Sequence, residues 1–60
     1  MTKDELNDLL EALLGPRHSQ HWWHSPNKHW NNLTPSEVYD RDEEGKKDVE
    51  TYILMHCYGN

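Results

Sequence analysis

The sequence is poor in the residues that most often build a hydrophobic core. Of its 60 residues, ten are Leu, Ile or Val, and Phe is absent. That aliphatic share lies below the roughly 20% that, together with high net charge, marks disordered chains. Three Trp and three Tyr offset the shortage, because each aromatic side chain buries on the order of 150–250 Å². We therefore expect one small, marginally stable domain over residues 1–60, because a core of this size rarely supplies more than about 3–5 kcal/mol without a disulfide, a metal or a partner chain.

Other absences exclude whole classes of protein. The single cysteine, Cys57, cannot form an internal disulfide, which excludes a disulfide-stapled scaffold. No apolar run approaches the ~20 residues that cross a bilayer, and the first residues lack the basic region and apolar run of a signal peptide. No Walker loop, GxGxxG or HExxH motif occurs. The sequence predicts a cytoplasmic, non-catalytic protein that needs no cofactor and no membrane.

Acidic side chains dominate the charge, with 11 Asp and Glu against six Lys and Arg and a net charge of −5. Phosphate binding depends on Lys and Arg, so we expect no direct contact with nucleic acid. Residues 17–33 hold all three Trp and four of the five His but no acidic residue. We call residues 17–33 the His/Trp segment, and it is the first place to look for a binding surface.

Hydrophobic spacing predicts an all-α fold, a small bundle of three to four short helices. Leucines recur at i, i+3, i+4, i+7 and i+8 between residues 6 and 14, which predicts a helix over about 3–14. Thr2 and Glu5 form a candidate capping box at its start, and Gly15-Pro16 is a stop signal. Residues 18–24 are expected to form a further short helical stretch.

The second half predicts two more helices. Thr34, Pro35 and Glu37 have the spacing of a capped helix start, so we expect a short helix over about 35–40 and a charged connection over 40–45. Val49 and Ile53 begin an apolar stripe that predicts a helix over about 46–58. Apolar residues off that stripe indicate a second surface to cover, from which we expect a homodimer. They are Leu54, Met55 and Tyr58.

The tryptophans are the first candidate binding residues. Adjacent Trp22 and Trp23 cannot both face one narrow helix stripe, so one is expected in the core and the other at least partly exposed. An exposed Trp is a frequent hot spot of protein interfaces. Trp30 is a further candidate, and core packing of all three is the alternative.

The histidines are the second candidate. His18, His21 and His24 are spaced three apart, and imidazole is a good ligand for zinc or nickel. No paired cysteines complete a zinc pattern, so solvated histidines beside aromatic packing are the preferred interpretation. A metal-binding or structural module is the third functional hypothesis.

Acidic residues after the third helix give another alternative. They could imitate nucleic-acid phosphates and occupy a basic groove, as in an acidic phage-type inhibitor of a nucleic-acid-binding defence effector. Such binding would weaken with added salt. The residues concerned are Asp40, Asp42, Glu43 and Glu44.

An aromatic followed by a Pro-Asn loop (23–27) precedes a Leu-Thr-Pro helix start (33–38), and Gly45, Val49 and a final Tyr58-Gly59 follow. In this order and spacing, residues 22–59 resemble the C-terminal, toxin-binding domain of MbcA/ParS/Xre-type antitoxins. We expect a form of this domain without the family's helix-turn-helix DNA-binding domain, and Asn31-Asn32 stands where a glycine is common.

The resemblance implies a small helical protein that inhibits a partner, most often a NAD-consuming or ADP-ribosylating toxin of the RES type. Family members cover the toxin's active site, in part through their C-terminal end. We therefore predict a stoichiometric inhibitor of a toxin or defence enzyme that works by occlusion. The predicted partner-binding residues are Trp22, Trp23, Trp30, His56, Tyr58, Gly59 and Asn60.

Overall fold

A capping box begins the first helix, α1, which spans Lys3–Leu14 in the computed structural model. The structure describes the backbone of residues 1–58 and the side chains of residues 1–56. The Thr2 hydroxyl accepts a bond from the Glu5 N–H at 3.2 Å, and the Glu5 carboxylate accepts one from the Thr2 N–H at 2.8 Å. The bond from the Thr2 N–H, supported by the Thr2 side chain, lowers the pKa of Glu5. The bounds of α1 coincide with those expected from the leucine spacing.

A sharp corner joins α1 to α2, which spans Pro16–Trp23. Gly15 has φ +86°, a conformation that glycine adopts without steric cost, and its N–H bonds to the Glu11 carbonyl at 2.9 Å. Pro16 occupies the first position of α2, where its missing N–H leaves no broken bond. The Gly-Pro stop signal thus ends one helix and starts the next.

A loop over residues 24–34 connects α2 to α3 and contains one 3₁₀ turn, Lys28–Trp30. Its ends are tied together, because the Asn27 N–H donates to the Leu33 carbonyl at 3.0 Å. Asn31 and Asn32 have φ of +54° and +69°. Asparagine tolerates this left-handed region better than most residues, so the pair turns the chain where a glycine would otherwise be needed.

Helices α3 (Pro35–Arg41) and α4 (Glu43–Tyr52) are separated by Asp42 alone. The Asp42 carboxylate accepts a bond from the Gly45 N–H at 2.7 Å and so begins α4. The charged connection expected over 40–45 is therefore one residue long, and the last helix starts three residues earlier than expected. The chain continues from α4 as a π-helical segment, Ile53–Tyr58.

The fold is all-α, with 79% of the described residues helical, as predicted. Helix α1 packs on α2, α3 packs on α4, and the π-helical segment returns to α1. No helix in the described part of the chain is long and apolar enough to cross a membrane. The core combines aliphatic and aromatic side chains, namely Leu6, Leu10, Trp23, Trp30, Val38, Tyr39, Val49 and Ile53.

Candidate binding surface

Five aromatic rings from three parts of the chain form a cluster around Tyr52. The ring centroids of His29 and His56 lie 4.9 and 4.7 Å from that of Tyr52. Trp30 lies 5.0 Å from it, and Trp22 stacks on it at 6.1 Å with an interplanar angle of 29°. These distances are those of favourable aromatic pairs. We call the five residues the Tyr52 cluster.

The 3₁₀ turn positions two members of the cluster. The Asn27 carboxamide oxygen accepts a bond from the His29 N–H at 2.9 Å, and its carbonyl accepts one from the Trp30 N–H at 3.0 Å. The Trp30 carbonyl in turn accepts a bond from the Leu33 N–H at 3.0 Å. These bonds fix the backbone of the turn, and the rings of His29 and Trp30 meet edge to face at 5.1 Å.

The end of the last helix supplies two more members. Tyr52 is the final residue of α4, and His56 follows four positions later in the π-helical segment. Residues four apart share one face of a helix. Ile53 is fully buried beside them, whereas Leu54 and Met55 are 37% and 65% exposed. The segment therefore carries the cluster on one side and an exposed apolar surface on another.

Burial is graded across the Tyr52 cluster. Trp30 is 8% exposed and belongs to the core. Trp22 and Tyr52 are half-buried, and His29 and His56 are exposed. The cluster thus runs from the core to the solvent. Its outer side chains are accessible from solvent, and its inner ones are packed in the core.

The structure separates the three tryptophans. Trp23 is 3% exposed, and its indole Nε1–H donates to the Asn7 side-chain oxygen at 3.0 Å. The Lys3 ammonium lies 5.5 Å from the same ring. Trp23 is therefore the core member of the adjacent pair and Trp22 the partly exposed one, as expected. Trp23 and Trp30 present almost no surface, so Trp22 is the most accessible of the three tryptophans.

The predicted metal candidates are not brought together. His18, His21 and His24 are all exposed, and the His18 Nδ1 lies 3.2 Å from the Leu14 carbonyl oxygen. Within the part of the chain that the structure describes, no group of three or more His, Cys, Asp or Glu side chains is arranged to hold a metal ion.

The acidic candidates are largely paired with cations. The N···O distances are 3.3 Å for Lys3–Asp40, 3.2 Å for Arg41–Asp42 and 3.3 Å for Lys46–Glu43. Asp42 is also committed to the cap of α4. These contacts lower the net negative charge that the surface presents, which weakens its likeness to a phosphate backbone.

A cavity of about 520 Å³ lies beside α4. Lys46, Lys47, Glu43, Glu44, Glu50 and Met1 line it. The Met1 ammonium is 2.7 Å from a Glu50 carboxylate oxygen, and this hydrogen-bonded pair raises the pKa of the amino group. Charges of both signs surround the cavity, so it favours no single class of ligand.

Among the predicted C-terminal binding residues, the structure describes the side chain of His56 alone. His56 lies in the Tyr52 cluster. The side chains of Cys57 and Tyr58, and all of Gly59 and Asn60, lie outside the described residues. Their predicted contact with a partner stays a prediction.

Sequence reasoning missed Tyr52 and His29 as members of the surface. The spacing of Tyr52 and His56 was a usable signal, because residues four apart share a helix face. No such signal exists for His29. Its position against Tyr52 depends on how the loop folds back over the last helix, which local patterns do not encode.

Compared with known protein families, curated proteins and solved structures, the chain gives no match. The likeness of residues 22–59 to antitoxins therefore stays a prediction from the sequence.

Proposed function

We propose that this chain is a non-catalytic binding protein that inhibits a partner protein by covering its active site. The observation that carries the proposal is the Tyr52 cluster, an aromatic surface that extends from the core into solvent. Partly exposed Trp and Tyr side chains with buried support are typical hot spots of protein interfaces. Trp22 and Tyr52 meet this description.

The surface is pre-organised for binding. Trp30 anchors the cluster in the core, and the hydrogen bonds of Asn27 hold the turn that carries His29. Ordering side chains at an interface costs about 0.5–1.5 kcal/mol each, and rigid aromatics have lost part of that entropy on folding. Exposed Leu54 and Met55 adjoin the cluster along the chain, so an interface centred on Tyr52 has apolar area on which to extend.

The proposed partner is a toxin or defence enzyme. This part of the proposal is supported by the resemblance to antitoxins, in which the C-terminal end enters the toxin's cleft. In this chain the entering residues would be His56, Tyr58, Gly59 and Asn60. The net charge of −5 would speed approach to a basic rim around such a cleft.

In the first step, proteins from a host lysate are captured on the immobilised chain and washed at low and then high salt. In the second, the activity of the retained enzyme is measured with and without the chain. We expect one enzyme to survive the high-salt wash and to be inhibited stoichiometrically. Trp22→Ala should weaken binding by about 2 kcal/mol or more, roughly 30-fold. Gln20→Ala, an exposed change on the same helix, is the matched control and should bind normally.

Two further arms test occlusion. Deleting residues 56–60 should abolish inhibition while leaving the helical circular-dichroism signal largely unchanged. Inhibition that survives this deletion would contradict occlusion by the C-terminal end. A basic nucleic-acid-binding partner that is lost at high salt, and that binds Trp22→Ala as well as the native chain, would instead support the acidic-decoy hypothesis.

A further inference from the structure

Two histidines from distant parts of the sequence meet at the outer edge of the Tyr52 cluster. The ring centroids of His29 and His56 are 6.2 Å apart. Both side chains are exposed, and both rest against the ring of Tyr52, which lies within 5 Å of each. The pair is distinct from His18, His21 and His24, whose spacing in the sequence first suggested a metal.

The spacing of the two rings fits a shared metal ion. A metal–imidazole bond of about 2.0–2.1 Å places the ion roughly 3.2 Å from the ring centre. Two imidazoles on one ion then have centroids about 5 Å apart at a tetrahedral angle and about 6.4 Å apart when they lie opposite each other. The observed 6.2 Å lies inside this range. The observed distance corresponds to a nearly linear arrangement, so tetrahedral binding requires the two exposed rings to approach by about 1 Å.

The geometry points to a two-histidine site for a divalent late transition-metal ion, formed by His29 and His56. Imidazole selects Zn²⁺, Ni²⁺ and Cu²⁺, whereas Mg²⁺ and Ca²⁺ prefer oxygen ligands. Water completes the coordination, since the described residues supply no third His, Cys, Asp or Glu ligand. This inference does not rest on the proposed partner binding.

The bound ion cross-links two elements that are distant in sequence and that meet through the rings of His29 and His56. It joins the 3₁₀ turn Lys28–Trp30 to the segment Ile53–Tyr58. Small domains without disulfides often gain stability from such a metal clip. An ion that binds the folded chain in preference to the unfolded chain stabilises the fold. At ion concentrations above Kd, the stabilisation grows with the logarithm of the concentration, and the melting temperature rises with it.

The test titrates NiCl₂ and ZnCl₂ into the full chain, in a Cys57→Ser background so that the thiol contributes nothing. Trp30 lies 5.1 Å from His29, so paramagnetic Ni²⁺ bound there should quench tryptophan emission in a saturable manner. Zn²⁺ should raise the melting temperature, and MgCl₂ should do neither.

Variants assign the ligands. His29→Gln and His56→Gln should each lower Ni²⁺ affinity by at least about tenfold, because loss of even an indirect partner of a metal ligand typically costs about 10–100-fold. Both residues are exposed, so far-UV circular dichroism should show an unchanged fold. The matched control replaces His18, His21 and His24 together with Gln and should bind as the native chain does. Absence of saturable quenching, or loss of binding in the triple variant alone, would overturn the assignment.

Discussion

Replacing Gly45 with alanine tests how closely α3 and α4 pack. A Cβ at residue 45 would lie 1.9 Å from the carbonyl oxygen of Val38 and 3.0 Å from its carbonyl carbon. Both are backbone atoms, so rotating a side chain cannot relieve the contact. The two helices would have to separate by more than about 1 Å to restore ordinary van der Waals distances.

The magnitude follows from two opposing effects. In a helix interior, Ala is favoured over Gly by about 1 kcal/mol. Overpacking a close contact typically costs about 1–3 kcal/mol, and more when backbone must move. Separation also disturbs the fully buried Val38 and Val49 and the 2.7 Å bond from the Gly45 N–H to Asp42, a helix cap worth about 1 kcal/mol. We expect a net loss of about 2–3 kcal/mol in the free energy of unfolding.

Urea and thermal denaturation followed by circular dichroism measure this loss. For a domain of this size, about 1 kcal/mol shifts the melting temperature by roughly 4–8 °C, so Gly45→Ala should melt about 10–20 °C lower. Lys47→Ala, an exposed change on the same helix, is the control and should stay within about 0.5 kcal/mol of the native chain. A Gly45→Ala chain as stable as the native one would refute the close helix contact.

Two further predictions concern pH and self-association. The hydrogen bond from the Thr34 N–H, supported by the Thr34 side chain, lowers the pKa of Glu37 below its ordinary 4.5. The ionised carboxylate therefore stabilises the fold above pH 4.5. This stabilisation is lost as the pH falls through the pKa that Glu37 has in the folded chain. Glu37→Gln should therefore flatten the fall in stability as the pH drops below 4.5 in urea denaturation, and parallel curves would contradict the capping contribution. The exposed apolar side chains of Leu54 and Met55 predict that the chain forms a homodimer at protein concentrations of tens of micromolar. Met55→Glu should disrupt this dimer. A monomer mass for the native chain in light scattering would refute it.

Local signals predicted the parts of the fold that depend on neighbouring residues. Thr2 with Glu5 and Thr34 with Glu37 form the two capping boxes at the positions where the sequence indicates helix starts. A capping box is formed within four consecutive residues, so its signal can be read from the local sequence. Gly15 likewise needs only its own positive φ to end α1.

The start of α4 shows where such signals fail. Residues 40–45 are charged and end in glycine, which disfavours helix interiors. Glycine is nevertheless required at 45 because α3 passes too close for a Cβ. That requirement arises from the packing of two helices, and it is invisible in the local sequence. Asp42 is the N-cap of α4 in the structure, whereas the charge pattern indicated a longer connection.

The candidate surface was also predictable only in part, because some of its contacts arise from packing between distant residues. Composition directed attention to the His/Trp segment, and the resemblance to antitoxins and the two apolar faces of the last helix directed it to the end of the chain. The contact between them was not predictable, since His29 reaches Tyr52 through the fold of the 24–34 loop. Nor could local spacing decide that Trp23 is the core member of its pair. That depends on Asn7, a residue on another helix, which accepts the indole bond.

A domain with so few aliphatic residues uses the same aromatics for its core and for its surface, and this determines which variants are informative. Trp30 is buried in the cluster. Its replacement would lower stability and binding together, so it could not distinguish an effect on folding from an effect on binding. Trp22 and the two exposed histidines lie at the edge, where the two proposals require different atoms. The proposed partner binding requires the ring faces of Trp22 and Tyr52, whereas the proposed metal binding requires the imidazole nitrogens of His29 and His56. A Trp22→Ala chain that loses its partner but still binds Ni²⁺ with native affinity would show that the two proposals are independent, whereas loss of both activities would show that they share one surface.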